Sequence, residues 1–217
     1  MQNTLQKTTV TYLFDPLCGW CYGASPVIQR LSQESTIELE LAPTELFAGS
    51  GGRAMDATFA GYAWSNDMRI EKLTGQRFTE DYRQKVLNRP GSRFDSAATT
   101  LALTAVSLSE PDRELGALKY LQEARYVHAL DTSAANVAVQ VLRDLGLGTS
   151  ADRLTAPDAE LVAANTTRIQ KAQALMQALG AQGVPQLVVT DAHGRRLLRG
   201  DALYASYDAL LDQITAT

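Results

Sequence analysis

The sequence contains only two cysteines among its 217 residues, and both belong to one C-x-x-C motif, Cys18-Gly19-Trp20-Cys21. No third thiol is available for a structural disulfide, whereas a small secreted scaffold usually carries several disulfides. A chain of this length buries roughly 70% of the surface that its unfolded form exposes, so it does not need disulfides for stability. The scarcity of cysteine therefore argues against a disulfide-stabilised secreted scaffold.

The chain also lacks an excess of positive charge and a long apolar run. Its formal net charge is -4, and no dense Lys/Arg segment indicates a nucleic-acid partner or an anionic membrane partner. No stretch of about 18 apolar residues predicts a membrane-spanning helix. The first ten residues, MQNTLQKTTV, lack the apolar run of a signal peptide, so the predicted location is cytoplasmic.

Predicted strands are confined to the two ends of the chain. Residues 9–14 are β-branched and aromatic, and residues 37–41 alternate apolar and acidic side chains, which is the two-residue period of a strand. The apolar spacing between these segments predicts a helix over residues 18–31. Strand, helix and strand in this order form a βαβ unit.

The C-terminal part of the sequence predicts a hairpin between two helices. A helix covers residues 158–179, and residues 184–190 form an apolar strand. A tight turn at residues 191–194 leads to a returning strand at residues 195–199. A last helix is predicted over residues 203–214.

The middle of the chain has helical spacing and no predicted strand. Its clearest apolar stripe is formed by Ala134, Val137, Val141 and Leu145. The element order predicts one α/β domain with an inserted α-helical domain. Residues 1–52 and 153–217 are assigned to the α/β domain and residues 53–152 to the insertion, with Gly49–Gly52 as the hinge.

The C-x-x-C motif lies where the first predicted strand ends and the first predicted helix begins. The first turn of a helix has unpaired N–H groups and the positive end of the helix dipole, and both stabilise a thiolate at Cys18. Because residues i and i+3 share a helix face, Cys21 lies within reach of Cys18. The predicted roles follow: Cys18 attacks a substrate disulfide, and Cys21 resolves the mixed disulfide.

Two other interpretations of the cysteines compete with this one. A single C-x-x-C supplies half of a four-ligand zinc site, and the remaining candidates, His128 and His193, lack ligand spacing to a partner. Cysteine is also frequently buried without any chemical role. However, a helix N-terminus beside Pro16 and Trp20 is an unfavourable place to bury both cysteines. We therefore predict no metal ligands.

A second marker is Gly183-Val184-Pro185 at the start of a predicted strand. Proline removes a hydrogen-bond donor from a sheet ladder, so it fits an edge strand. The functional alternative is a cis Val184–Pro185 bond that exposes the backbone of Val184 to a bound peptide. Only about 5–6% of X–Pro bonds are cis, so the residues alone do not decide between these alternatives.

The order of these motifs resembles the DsbA family of thioredoxin-fold oxidoreductases. Residues 14–23, FDPLCGWCYG, are most similar to the FrnE-like branch of that family. The resemblance covers nearly the whole chain and implies a thioredoxin-like fold with an inserted α-helical domain. It implies that Cys18 is the nucleophile, that Cys21 is the resolving cysteine, and that Pro185 is a catalytic cis-proline facing them.

The predicted substrate-binding residues surround these catalytic positions. Gly19 and Trp20 lie between the two cysteines, and Val184 precedes the proline. Trp20 either packs against a bound peptide or covers the inserted helices, and the sequence favours neither. Asp15, three residues before Cys18, either holds a turn or changes the pKa of the thiols.

The predicted function is a thiol–disulfide oxidoreductase or isomerase that exchanges disulfides with protein or peptide thiols. The alternative is a glutathione-dependent transferase or isomerase acting on small molecules. No cofactor is predicted, since the cysteine pair carries the electrons, and glutathione is a candidate partner. Gly19 and Trp20 add no ionisable group that stabilises a thiolate, so we predict an intermediate reduction potential of about -180 to -230 mV.

Overall fold

The computed structural model describes residues 8–216. Its strands are β1 (Thr8–Phe14), β2 (Ile37–Pro43), β3 (Arg53–Ala54), β4 (Arg93–Phe94), β5 (Gln186–Asp191) and β6 (Gly194–Leu197). Its α-helices are α1 (Gly19–Gly23), α2 (Ser25–Leu31), α3 (Ala57–Thr74), α4 (Glu80–Tyr82), α5 (Ala97–Ser109), α6 (Glu114–Tyr126), α7 (Ala135–Asp144), α8 (Gly148–Thr155), α9 (Ala159–Leu179) and α10 (Tyr207–Thr215). Among the described residues, no helix combines the length and apolar character needed to cross a membrane.

The centre of the fold is a four-stranded mixed sheet in the order β2-β1-β5-β6. β1 is parallel to β2 and antiparallel to β5, and β5 pairs antiparallel with β6. Parallel neighbours need a crossover connection, and α1 and α2 provide it between β1 and β2. The predicted βαβ unit and the predicted C-terminal hairpin are both confirmed.

The central strand β1 is covered on both faces. Val10, Tyr12 and Phe14 pack into a large core together with α1, α2 and the helices between the two ends of the chain. Leu13, on the opposite face, packs with buried side chains of β5 and α9. A strand that is buried on both faces has a nearly continuous run of apolar residues, and this run is the signal that predicts β1 from the sequence.

The inserted helices share this large core with the sheet. Buried side chains of α5, α6, α7 and α8 belong to the same cluster as β1 and α1. A second cluster joins the start of the insertion to α1 through stacked and edge-to-face rings of Tyr22, Phe78, Tyr82 and Tyr126. The assignment of residues 53–152 to a separate domain stays a prediction.

The middle of the chain contains elements that the sequence pattern does not predict. β3 and β4 pair antiparallel in a separate two-stranded sheet, and strands of two residues are too short to show a period. Helix α6 lies in the region of predicted helical spacing, but it has no distinct apolar stripe in the sequence. Its buried face includes Glu114, Gln122 and Arg125 beside its apolar residues, and these polar side chains interrupt the apolar stripe.

Prolines explain two differences between predicted and observed boundaries. The predicted helix over residues 18–31 is two helices, because Pro26 lies in the first turn of α2 and has no N–H to continue the hydrogen bonds of α1. β5 begins at Gln186, two residues later than predicted. Pro185 lacks the N–H that a ladder requires.

Helix α1 lies unusually close to α3, because two glycines face that helix. A Cβ atom on Gly19 would lie 2.6 Å from Asp67 Oδ1, and one on Gly23 would lie 2.7 Å from Ile70 Cγ2. Real Cβ atoms do not approach other atoms this closely, and a tightly packed interior responds to one added methyl group. The C-x-x-C helix is therefore positioned by the insertion as well as by the sheet.

Candidate active site

A buried carboxylate holds the turn that precedes the cysteines. Asp15 is fully buried. Its oxygens accept hydrogen bonds from the backbone N–H groups of Leu17 (2.9 Å) and Phe47 (3.0 Å) and from the hydroxyl of Ser96 (2.8 Å). Burial raises the pKa of Asp15, and these hydrogen bonds oppose that rise. The predicted turn role of Asp15 is confirmed, and the turn is tied to two segments outside the C-x-x-C region.

The two cysteines lie together beneath the start of β5. Cys18 caps the N-terminus of α1, and its Sγ lies 3.6 Å from the carbonyl oxygen of Val184. Both cysteines are free thiols, and they are only 5% and 1% exposed. The expectation that both cysteines are hard to bury at this position is wrong, because segments distant along the chain cover the helix N-terminus.

The environment of Cys21 keeps that thiol protonated. Burial is the main cause that raises the pKa of Cys21 well above its usual range, and the neighbouring Cys18 sulfur raises it further. A backbone hydrogen bond from Asp15 acts in the opposite direction. Since a thiol attacks a disulfide only as the thiolate, Cys21 must transfer its proton before or during its attack on Cys18.

The Val184–Pro185 peptide bond is cis. Pro185 is buried, whereas Val184 is half-buried, with its carbonyl oxygen directed at the Cys18 sulfur. The cis geometry and the position opposite the cysteines are both confirmed. The roles assigned to Pro185 in catalysis and to Val184 in substrate binding stay predictions.

Trp20 is half-buried and packs against Tyr204, a residue that no sequence motif marks. Its ring meets the ring of Tyr204 edge-to-face, with centroids 5.2 Å apart. The hydroxyl of Tyr204 also donates a hydrogen bond of 2.8 Å to the carbonyl oxygen of Trp20. The C-terminal segment therefore covers the C-x-x-C turn. A contact of Trp20 with substrate stays a prediction.

Gly19 faces inward, and the residue opposite it is a second buried carboxylate. Asp67, on α3, is 6% exposed and accepts a hydrogen bond of 3.1 Å from the hydroxyl of Tyr82. Burial raises the pKa of Asp67 to about 7, although Tyr82 and Arg125 act to lower it. No motif marks Asp67 in the sequence. Substrate contact by Gly19 stays a prediction, and its Cα faces Asp67.

We expect Asp67→Asn to stabilise the protein at pH 8. The folded protein raises this carboxyl pKa to about 7, so ionisation of Asp67 removes stability as the pH rises from about 4 towards 7 and beyond. The gain in free energy of unfolding is on the order of 2–4 kcal/mol at pH 8, smaller at pH 5, and absent below about pH 4. Urea unfolding at several pH values measures this dependence.

The exposed residue Asp112 supplies the control for this experiment. Asp112→Asn also removes one carboxylate, but from a solvent-exposed position, so it measures the effect of losing one negative charge without a change in the core. If Asp67→Asn changed the free energy of unfolding equally at pH 5 and pH 8, the raised pKa would be refuted.

The histidines considered as zinc ligands lie in separate, exposed parts of the structure. His128 follows α6, and His193 lies in the turn between β5 and β6. Within residues 8–216, no group of three or more His, Cys, Asp and Glu side chains is arranged to hold a metal ion. The described geometry thus gives the zinc interpretation no support.

Two thiols one helical turn apart can form a disulfide and be reduced again. In this structure they lie at the point where the central strand of the sheet leads into its crossover helix, opposite a cis-proline. This sheet and this site define the class of protein, which is a thiol–disulfide oxidoreductase of thioredoxin-like fold.

The comparison with known families identifies the family within that class. Residues 9–210 match the family described as DSBA-like thioredoxin domain. The chain belongs to this family of DsbA-like thiol–disulfide oxidoreductases, as its motifs predict. None of the curated proteins compared with this chain matches it closely enough to count as a relative.

Solved structures agree with this assignment. The cytosolic disulfide reductase DsbM from Pseudomonas aeruginosa is 28% identical, with a TM-score of 0.83, over 96% of this chain and 100% of that chain. The structure of the same reductase with GSH gives 29% identity and a TM-score of 0.80, over 94% and 98% of the two chains. Reduced DsbA1 from Neisseria meningitidis, 14% identical with a TM-score of 0.52 over 99% and 87%, shares the fold. The expected thioredoxin-like α/β fold is confirmed.

Proposed function

We propose that this protein is a cytoplasmic disulfide reductase that uses glutathione as its electron donor. The observation that carries the proposal is the arrangement of the two thiols: Cys18 lies against the Val184 carbonyl, and Cys21 is held protonated behind it. The similarity to the cytosolic reductase DsbM, whose structure was also solved with GSH, supports both the direction and the donor.

The surroundings of the cysteines favour reduction of substrates over their oxidation. Among the hydrogen bonds of residues 8–216, none joins a Lys, Arg or His side chain to either cysteine sulfur. Positive groups beside a cysteine stabilise its thiolate, and a strongly stabilised thiolate makes an enzyme a strong oxidant. Without such a group, the reduced pair gives up its electrons more readily.

The proposed cycle balances with two molecules of glutathione as the only added reductant. The Cys18 thiolate attacks one sulfur of a substrate disulfide, forms a mixed disulfide and releases the first substrate thiol. Cys21 then attacks the Cys18 sulfur, which releases the second thiol and leaves the Cys18–Cys21 disulfide. Two glutathione molecules reduce that disulfide and leave as oxidised glutathione.

The substrate class we propose is a disulfide in a peptide or an unfolded protein segment. The Val184 backbone lies beside Cys18, where an extended peptide can pair with it as an added strand. Disulfides of small molecules are the second candidate substrate class. The low exposure of both cysteines favours this second class, because a small molecule reaches a buried sulfur more readily than a folded protein does.

Two measurements test the proposal. Equilibration with glutathione redox buffers, read by alkylation and mass spectrometry, is expected to give a potential near those of isomerases and glutaredoxins, about -180 to -230 mV. A value near about -120 mV, typical of a strong oxidant, would overturn the reductase direction. Turnover of insulin and of a small disulfide with glutathione then ranks the two substrate classes.

A further inference from the structure

A small cavity, lined by both apolar and polar side chains, borders Cys21. Tyr12 of β1, Ser25 of α2, and Gln122 and Lys119 of α6 contribute to its lining. The remaining lining residues include apolar side chains of α2 and α6. The space open to the centre of a water molecule is about 10 Å³, which is about what one water requires.

Two of the polar side chains that line this cavity, Ser25 and Gln122, lack partners within the described residues. Among residues 8–216, Ser25 Oγ and both side-chain atoms of Gln122, Nε2 and Oε1, are buried and make no hydrogen bond. Leaving a buried polar group unsatisfied costs about 1–3 kcal/mol, and buried amides are almost always hydrogen-bonded. Three such atoms on one water-sized cavity point to a bound water, which satisfies a donor and acceptors together.

We propose that Ser25 and Gln122 are positioning residues that hold one water molecule against Cys21, and that this water carries away the Cys21 proton during resolution. The inference rests on the proposed function, because only a resolving cysteine must lose a proton in this way. Ser25 and Gln122 touch neither the substrate nor the reacting sulfurs of the first step. They act through the water.

The proton balance of the resolving step requires an acceptor behind Cys21. The Cys21 sulfur forms a bond to the Cys18 sulfur, the bond between Cys18 and the substrate sulfur breaks, and its electron pair leaves on the substrate thiolate. The Cys21 proton passes to the water, which returns a proton to bulk solvent, where the released thiolate is protonated. The net products are the enzyme disulfide and a substrate thiol.

The titratable groups around Cys21 are poor acceptors for its proton, so the proposed water remains as the path of that proton to solvent. The titratable groups that influence or face this thiol are Cys18, Asp15, Tyr12 and Tyr204, and Lys119 also lines the cavity. The carboxylate of Asp15 is occupied by three hydrogen bonds, and burial raises the pKa of both tyrosines. Lys119, which lines the cavity, pairs with Glu123 at 3.7 Å and is partly exposed, so this side of the cavity borders the protein surface.

Rapid-quench mass spectrometry of the reduced enzyme mixed with a small disulfide tests this proposal, because it separates formation of the Cys18 mixed disulfide from its decay. Gln122→Met keeps the side-chain size but removes the hydrogen bonds to the water. We expect decay to slow roughly 100-fold, near the lower limit of what positioned proton transfer contributes, with formation unchanged. Ser25→Ala is expected to slow the same step by a smaller factor.

Two further variants separate a role in proton transfer from a role in folding. Gln122→Glu restores a polar group of the same size and is expected to restore the decay rate. Thr100→Val removes another buried hydroxyl without a partner, one that does not line the cavity, and is expected to leave both rates unchanged. If Gln122→Met failed to fold, Ser25→Ala would still report on the decay step.

The outcomes of this experiment distinguish the two proposals. If the wild-type enzyme formed no mixed disulfide, the proposed function would fail. If it formed one, and the Ser25 and Gln122 variants resolved it at the wild-type rate, only the water relay would fail. A crystal structure at high resolution adds a direct test, since a cavity without a water bonded to Gln122 would also overturn the relay.

Discussion

Cys18→Ser is expected to abolish disulfide reduction, lowering glutathione-dependent turnover by roughly 10³-fold or more, to the rate of uncatalysed exchange. Cys18 lies beside the Val184 backbone at the start of α1, whereas Cys21 is more deeply buried and held protonated, so Cys18 is the thiol expected to form the mixed disulfide. A serine hydroxyl is a far weaker nucleophile at neutral pH than a thiolate. Insulin reduction followed by turbidity measures the loss.

The labelling pattern of the two cysteines provides the control for this variant. In the reduced protein at pH 6, iodoacetamide is expected to modify Cys18 well before Cys21, because burial keeps Cys21 protonated. Far-UV circular dichroism of Cys18→Ser is expected to match the wild type. Faster labelling of Cys21, or retained turnover in the serine variant, would reverse the assigned roles.

Cys21→Ser is expected to leave the first step intact and to stop the second. The mixed disulfide between Cys18 and the substrate then accumulates, and its decay slows by roughly 100-fold or more, to the rate of attack by an external thiol. Intramolecular attack is fast because the two residues are held one helical turn apart in α1. Mass spectrometry of non-reduced protein detects the adduct.

This variant also separates the proposed function from its main alternative. A glutathione-dependent transferase or isomerase acting on small molecules needs only one activated thiol, so Cys21→Ser leaves its turnover unchanged. A disulfide reductase loses turnover and retains the adduct. Full activity of Cys21→Ser with glutathione would therefore contradict the reductase assignment and favour the alternative.

The parts of the fold that the sequence predicts well are those with a local signal. β1 is apolar on both faces, β2 alternates, and α9 ends at Gly180 in a left-handed conformation, so each is visible in its own segment. Helix α6 lacks a distinct apolar stripe of its own, because its buried face includes the polar side chains of Glu114, Gln122 and Arg125. These side chains pack against residues that lie far away along the chain, so no short stretch of sequence reveals them.

The same distinction applies to the site. Cys18, Cys21 and Pro185 belong to short motifs, and the structure brings Cys18 to the backbone that precedes the proline. Asp67 and Tyr204 contact the C-x-x-C helix from α3 and from the C-terminal segment. Both residue types are common, and neither position carries a pattern. Their placement depends on the path of the whole chain, so only the three-dimensional structure identifies them.

The contact between Gly19 and Asp67 limits how the redox properties of this enzyme can evolve. The two residues between the cysteines are the most direct place to change the stability of the thiolate, yet any side chain at Gly19 meets the Asp67 carboxylate at 2.6 Å. Substitutions at these two positions are therefore epistatic: a larger residue at 19 becomes tolerable only after a smaller one at 67. Trp20 is packed in its turn against Tyr204 and against the cluster that contains Ile70 of α3, so both positions between the cysteines depend on residues distant along the chain.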